Sequence, residues 1–311
     1  MTGDRLLAVV AGLFLAAAML SVLATGLRVT FGWAGVAVAA LPPVLLGAAG
    51  LLGRGVGRRG RLGSFAWHAG MLLAVLLAGS VASYAAAAAS TGFMDPALAG
   101  WDRALGLDWF ACYQFVAVHP AWQVGGRLAY RSIYVSPVLL LWVLAWTGRD
   151  EAARRFILGI ALALGAAVAG SFLWPAMGTY ASAAGGLPLP YRPITADEPR
   201  ALITALRNGT AGIVDLGIDQ GIICMPSFHT ACALLYIRAT WRIPRLRLAI
   251  VPLNLLMLAA TPVEGSHYIV DILAGAALAV LAATGAAVLT ARPKETVMRP
   301  GSTRHPAVAR R

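Results

Sequence analysis

The sequence contains few charged residues and still fewer acidic ones. Only 12% of its 311 residues are Asp, Glu, Lys or Arg, and 59% are hydrophobic, whereas a soluble domain carries about 25% charged residues. Several apolar runs approach the roughly 20 residues that cross a bilayer. The composition therefore excludes an ordinary soluble protein and predicts an all-α, polytopic transmembrane helix bundle.

The shortage of acidic residues leaves a strong positive charge, with 25 Lys and Arg against 13 Asp and Glu. A basic patch that binds nucleic acid needs a soluble face, but here the arginines occupy short turns between apolar runs. This distribution is typical of the charge signals that orient membrane proteins. We therefore expect the membrane as a partner and no nucleic acid.

Cysteine is scarce as well, and the first apolar run shows no clear cleavage site. Cys112, Cys224 and Cys232 show no zinc or redox spacing. Cys112 and Cys224 would pair if both long loops face an oxidising compartment, and free thiols are the alternative, which we favour. The apolar run after Arg5 extends past Leu20 without a small-residue cleavage site, which favours a retained helix over a signal peptide.

The apolar runs predict about eight spanning helices. Their approximate ranges are 5–25, 31–52, 65–90, 127–147, 156–174, 226–241, 248–262 and 267–290. We divide the chain into two additional N-terminal helices with a basic inner turn (1–64), a six-helix core (65–290) and a disordered basic tail (291–311). The loop 91–126 is rich in Trp and Tyr, which is typical either of a helix in the headgroup layer or of a packed loop.

The positions of the basic residues predict the orientation. With the N-terminus inside, the inner segments hold 18 of the 25 lysines and arginines, as the enrichment of cytoplasmic turns in positive charge requires. The outer side holds the other seven: Arg28, Arg103, Arg127, Arg131, Arg192, Arg200 and Arg207. We expect an integral membrane protein, of the bacterial plasma-membrane type, with both termini cytoplasmic and the motifs described next on the outer face.

Two motifs place histidines where a polar loop meets an apolar run. His267 and Asp271 are four residues apart at the start of a helix, so they share one face. The aspartate can accept a hydrogen bond from one ring nitrogen and leave the other as a nucleophilic lone pair. A purely structural His–Asp pair is the alternative for this motif alone.

The second motif is Pro226-Ser227-Phe228-His229. Proline favours the first turn of a helix and serine caps it, and a helix N-terminus presents free N–H groups and a positive dipole to phosphate. His229 is placed to protonate a leaving oxygen. A lone histidine there is more often structural, but two such motifs entering from one side favour catalysis.

Together, these motifs resemble the second and third signature motifs of the type 2 phosphatidic acid phosphatase superfamily, membrane enzymes that transfer or hydrolyse lipid-linked phosphate. The resemblance covers about 65–290. It implies a phosphohistidine mechanism without metal or other cofactor. By the same resemblance, His267 is the nucleophile, Asp271 its orienting partner, His229 the general acid and Ser227 a phosphate contact.

The sequence departs from the superfamily pattern at several positions. Phe228 replaces a glycine in the second motif, Ala260 and Thr261 replace the Ser-Arg pair before the third, and Gly185 replaces the lysine of the first motif, which keeps Arg192-Pro193 at its end. Such losses, and the segment 174–180, resemble the inositol phosphorylceramide synthase branch, whose members move a phosphoryl headgroup between lipids.

The missing lysine and arginine leave open which cations stabilise the phosphoryl transition state. The outer arginines are the candidates: Arg127 and Arg131, one turn apart on the fourth helix, and Arg192 and Arg207 in the loop before the serine motif. We prefer Arg131 and Arg207, and an ordinary headgroup-facing or loop role is the alternative for each. Glu264 is a candidate for binding an acceptor hydroxyl or a headgroup, although we favour a solvated loop charge.

The predicted function is a lipid phosphotransferase that moves a phosphoryl group, or a phospho-headgroup, from a phospholipid or polyprenyl phosphate to a hydroxyl acceptor. The acceptor is a lipid, inositol or water. A phosphatase of phosphatidic acid or polyprenyl diphosphate shares the first half-reaction, so the sequence does not separate the two. A lipid-binding or transport protein would need no pair of histidines and is the third, less favoured hypothesis.

Overall fold

A computed structural model describes residues 3–30, 32–53, 60–184, 189–196, 199–210, 213–215 and 222–291. The helices are α1 (Gly3–Thr25), α2 (Trp33–Leu52), α3 (Arg61–Ala89), α4 (Asp95–Ala104), α5 (Trp109–Val118), α6 (Pro120–Arg131), α7 (Ser136–Trp146), α8 (Asp150–Leu173), α9 (Thr179–Ala184), α10 (Pro199–Arg207), α11 (Phe228–Thr240), α12 (Pro244–Glu264) and α13 (Ile269–Leu289). Two short parallel strands, β1 (Arg28–Thr30) and β2 (Ile213–Asp215), pair with each other. Most of the tail, 292–311, and Gly185 lie outside the described residues.

The predicted all-α transmembrane bundle is confirmed, although fewer helices are long enough to span a membrane than the eight expected. Among the described residues, six are long and apolar enough: α1, α2, α3, α8, α12 and α13. The predicted fourth helix is the pair α6 and α7, bent by 50°, and counting it as one span makes seven. The predicted sixth helix, α11, has 13 residues, or about 20 Å at 1.5 Å per residue.

Helix α11 lies at the centre of the bundle, where it packs against α7, α8, α12 and α13. Two glycines allow this close packing. A Cβ on Gly275 of α13 would lie 2.4 Å from the Ser227 carbonyl oxygen, and one on Gly170 of α8 would lie 2.4 Å from Pro226 Cδ. Gly275 and Gly170 therefore let α13 and α8 approach the start of α11 closely. Helices α1 and α2 pack mainly on α3, so they lie at the edge of the bundle.

Of the turns predicted to be inner, those before α8 and before α12 lie together at one end of the bundle, beside the start of α1 and the end of α13. Arg149, before α8, donates to the carbonyl of Arg242 at 3.1 Å. Arg154 pairs with Asp4 of α1 at 3.3 Å, and Arg155 donates to Thr290 after α13 at 3.0 Å. The two histidine motifs lie at the other end of the bundle, at the starts of α11 and α13.

The aromatic loop 91–126 is largely helical, comprising α4, α5 and the first half of α6. Phe110, Phe115 and Trp122 are exposed, while Trp109 and Tyr113 are buried against the rest of the protein. The Trp109 indole donates to the carbonyl of Pro262 at 2.7 Å. The segment therefore packs over the same end of α12 and α13 that carries the histidine motif.

Candidate active site

Ser227 joins α11 to α13. Its hydroxyl accepts from the N–H of Thr230 at 3.3 Å and so caps α11, as the sequence predicts. The Ser227 N–H donates to the carbonyl of Asp271 at 3.0 Å. These contacts, together with the absence of a side chain at Gly275, hold the start of α11 against the first two turns of α13.

The hydrogen bonds around His267 assign its tautomer. Ser227 Oγ accepts from both the N–H and the hydroxyl of Thr230, so its single proton is directed to His267 Nε2 at 3.3 Å. His267 Nδ1 lies 3.4 Å from Asp271 Oδ2 and therefore carries the proton. The residue is 2% exposed. Its Nε2 lone pair faces the N-terminus of α11, which is the arrangement that a nucleophilic imidazole needs.

Asp271 Oδ2 accepts from two further donors: the Tyr268 N–H at 3.0 Å and the Cys224 thiol, whose Sγ is 3.0 Å away. Burial, followed by the nearby Asp271 carboxylate, raises the pKa of the Cys224 thiol, so it remains an S–H donor. Cys112 and Cys224 are both free thiols, in agreement with the interpretation we favoured.

A metal-like grouping coincides with this carboxylate. Among the described residues, Cys224, His267 and Asp271 are the one set of His, Cys, Asp or Glu side chains able to hold an ion, with candidate ligand atoms within 4.8 Å of one another. The hydrogen bonds that join His267 Nδ1 and the Cys224 thiol to Asp271 Oδ2 account for this closeness. Asp271 Oδ1 is buried and has no hydrogen-bond partner in the described part of the chain.

Two buried carboxylates of α4, which the sequence reasoning missed, hold the start of α13. Asp102 accepts from the N–H groups of Ile269 and Val270 at 2.9 and 2.8 Å. Asp95 accepts from the Tyr268 hydroxyl at 3.0 Å and from the N–H groups of Met177 and Gly178. Negative charge at a helix N-terminus is favourable, so α4 fixes the turn that carries His267. Asp95-Pro96 at a helix start was the available signal.

We expect Asp102→Asn to lower the thermal midpoint of the purified protein by several degrees. The amide replaces a charged acceptor, and a hydrogen bond to a charged group contributes about 1.5–3 kcal/mol. Asp108→Asn is the matched control, since Asp108 is an exposed cap of α5 and asparagine caps equally well. Equal midpoints for the two variants would contradict the assigned role of Asp102.

Glu264 ends α12 and is 1% exposed, so the solvated charge that we favoured is wrong. Its carboxylate accepts from the Tyr191 hydroxyl and from the Ile194 N–H at 3.2 Å. Burial, together with the neighbouring carboxylate, raises the pKa of the Tyr191 phenol to about 12, so the phenol remains a donor. Glu264 therefore fastens the segment 189–196 beside His267.

His229 lies next to His267, in the first turn of α11. Its ring stacks on Tyr130 of α6, with centroids 4.0 Å apart and planes 9° apart, and its Nδ1 lies 3.2 Å from the Tyr130 hydroxyl. A Cβ on Gly265 would lie 2.8 Å from that hydroxyl and 2.7 Å from His267 Cδ2. Gly265 therefore leaves the space in which the Tyr130 hydroxyl and the His267 ring lie beside one another.

The four candidate arginines occupy different places. Arg127 donates to the Tyr191 hydroxyl at 3.0 Å and to the Arg192 carbonyl, and lies 4.0 Å from Glu264. Arg131 and Arg192 are exposed. Arg207 donates to Ser90 at 2.8 Å and to the Ala87 carbonyl at 3.5 Å, at the end of α3. The structure thus brings the two histidines, Ser227 and Asp271 together, and directs the Arg207 side chain from α10 to the end of α3.

Comparison with known protein families gives a match that spans these residues. The family model described as PAP2 superfamily matches residues 96–285, more than half of the chain. No curated protein and no solved structure matches the chain. The matched range contains both histidine motifs, Asp102 of α4 and Tyr130, and it begins one residue after Asp95. The chain therefore belongs to the PAP2 superfamily, whose members are generally phosphatases or phosphotransferases.

Proposed function

We propose that this membrane protein is a phosphotransferase that works through a phosphohistidine on His267. The observation that carries the proposal is the position of the His267 ring, with Nδ1 3.4 Å from Asp271 Oδ2 and Nε2 3.3 Å from Ser227 Oγ. A neutral imidazole with one protected nitrogen and one available lone pair is a nucleophile. Family membership supports phosphatase or phosphotransferase chemistry in general.

In the first half-reaction, His267 Nε2 attacks the phosphorus, and the P–O bond to the departing alcohol breaks in line. His229, as imidazolium, gives its Nε2 proton to the departing oxygen. In the second half-reaction, an acceptor hydroxyl attacks the phosphorus and the P–N bond breaks. His229 takes the acceptor proton, which restores both histidines to their initial states.

The phosphoryl oxygens need donors and positive charge in both steps. The Ser227 hydroxyl, which is hydrogen-bonded to His267 Nε2 before the substrate enters, would turn to a phosphoryl oxygen. The start of α11 adds the positive end of its helix dipole. Of the four arginines, Arg131 is the strongest candidate, because it follows Tyr130 directly and is exposed. Arg127 is engaged by Tyr191. Arg192 and Arg207 remain proposals that would require a rearrangement of their side chains.

The proposed substrates are a phospholipid or polyprenyl phosphate and a hydroxyl acceptor. The bundle of apolar spans, whose chemistry lies at one end, supports a lipid substrate. The positive charge of the opposite end supports cytoplasmic termini and an outward-facing site. The replacements at Phe228 and at Ala260-Thr261 support the inositol phosphorylceramide synthase branch, in which the acceptor is another lipid.

The fate of the headgroup tests this proposal. Purified protein in detergent would be given phosphatidylinositol, phosphatidic acid or undecaprenyl diphosphate, each labelled with ³²P, with and without ceramide as the acceptor. We expect a labelled product phospholipid that appears only when the acceptor is present. Release of inorganic phosphate regardless of acceptor would instead indicate the phosphatase, and no turnover of any substrate would favour a lipid-binding protein.

A further inference from the structure

Tyr130 contacts His229 through both its hydroxyl and its ring. Its hydroxyl meets Nδ1 of His229 at 3.2 Å, and its ring covers the imidazole at 4.0 Å between centroids. Tyr130 is 6% exposed and comes from α6, which lies 99 residues earlier in the chain. The contact therefore joins two elements that the bundle packing brings together, and it is not a local turn interaction.

We infer that Tyr130 is a positioning residue that selects the nitrogen with which His229 exchanges protons. The inference rests on the proposed function, because it assigns a partner to the proposed general acid. A phenol hydroxyl can accept a hydrogen bond and keep its own proton. With Nδ1–H donating to the Tyr130 oxygen, only Nε2 of His229 remains for proton transfer to the departing or attacking oxygen.

The same nitrogen serves both half-reactions under this arrangement. Nε2 gives its proton as the P–O bond breaks and takes one as the P–N bond breaks, while Nδ1 keeps its proton throughout. No second proton carrier is required. Without the hydroxyl, the neutral ring would be able to place its proton on either nitrogen, and one of the two tautomers has no basic Nε2.

The two histidines differ in the partner of Nδ1. His267 faces the carboxylate of Asp271, whose charge makes Nε2 more basic and more nucleophilic. His229 faces a neutral phenol, which orients the ring without stabilising its protonated form to the same degree. A weaker partner leaves His229 able to release its proton. The geometry thus assigns the nucleophile to one ring and the acid to the other through their neighbours.

The surroundings of Tyr130 fix it in place. Helix α6 packs closely on α12, since a Cβ on Gly126 would lie 3.4 Å from Ala260 Cβ and 3.7 Å from Glu264 Cγ. The Tyr130 hydroxyl also borders the space that Gly265 leaves open beside His267. The close approach of α6 to α12 therefore holds the Tyr130 ring against His229, with its hydroxyl on the side of His267.

Tyr130→Phe keeps the stacked ring and removes only the hydroxyl, so it is the informative variant. We expect kcat for the ³²P-labelled phosphatidylinositol, phosphatidic acid or undecaprenyl diphosphate that the unmodified protein turns over to fall on the order of 10- to 100-fold, with KM unchanged. In a substrate analogue whose departing group is 4-nitrophenolate, that group leaves without being protonated. With this analogue, the rate at which Tyr130→Phe releases nitrophenolate in the first turnover should therefore be within about twofold of the rate of the unmodified protein.

Tyr134→Phe is the matched control, because Tyr134 lies four residues further along the chain and is 71% exposed. It should leave both rates unchanged. If Tyr130→Phe reduced the rate equally on both substrates, or on neither, the inference would be overturned and the phosphohistidine scheme would stay intact. Turnover of the lipid substrate by His267→Ala would overturn the proposed function instead, so the two failures are distinguishable.

Discussion

His267→Ala should reduce turnover by at least about 10³-fold, because it removes the atom that is proposed to bond to phosphorus and leaves no alternative nucleophile in the same place. The variant is expected to stay folded, since the start of α13 is fixed by Asp102 and by the Ser227–Asp271 backbone contact. Turnover of labelled lipid and the thermal midpoint in detergent measure the two effects separately.

A trapped intermediate gives a second measurement for the same prediction. With the 4-nitrophenyl substrate, His229→Ala should accumulate ³²P on the protein, since the departing group needs no acid and the second step lacks its base. The label should be acid-labile and base-stable, and His267→Ala should carry none. Retained turnover in His267→Ala, or label on another residue, would contradict the mechanism.

Asp271→Asn should lower kcat by about 10²- to 10⁴-fold. The carboxylate accepts Nδ1–H of His267 at 3.4 Å, and an amide nitrogen in its place would favour the tautomer in which Nε2 is protonated and not nucleophilic. Steady-state turnover of the lipid substrate is the measurement, and a loss in kcat without an increase in KM is expected.

Cys224→Ala separates the role of the carboxylate toward His267 from its other contacts. This variant removes one donor to Asp271 Oδ2 and leaves the histidine contact untouched. We expect a loss of less than about tenfold, since a thiol is a weak donor. A loss as large as that of Asp271→Asn would mean that the carboxylate acts mainly by holding the loop before α11.

The sequence predicted those features that depend on neighbouring residues. His267 and Asp271 meet because they are one helical turn apart, and Ser227 caps α11 because of where it stands in its own motif. The spans follow from the length of apolar runs. Each of these inferences uses a few consecutive residues, and the structure confirms the helix bundle and the cap.

The features that the sequence did not reveal depend on distant pairs. Asp102 and Ile269 are 167 residues apart, and Tyr130 and His229 are 99 apart. Periodicity along one segment carries no information about which segment packs on it. Glu264 was misjudged for the same reason, because its partners Tyr191 and Ile194 come from a different loop. Arg207, preferred as a phosphate contact, ends α10 and donates to Ser90 at the end of α3, which is 117 residues away in the chain.

The short length of α11 has a consequence for the choice of acceptor. Its 13 residues rise about 20 Å, against about 30 Å for the hydrocarbon layer. Ser227 meets Gly275, which lies six residues after the start of α13, or about 9 Å along that helix. The start of α11 is thus recessed from the end of the bundle at which α13 begins. A hydroxyl carried on an amphiphile can enter such a recess from the bilayer, so the recess supports the proposed transfer between lipids over the alternative of hydrolysis.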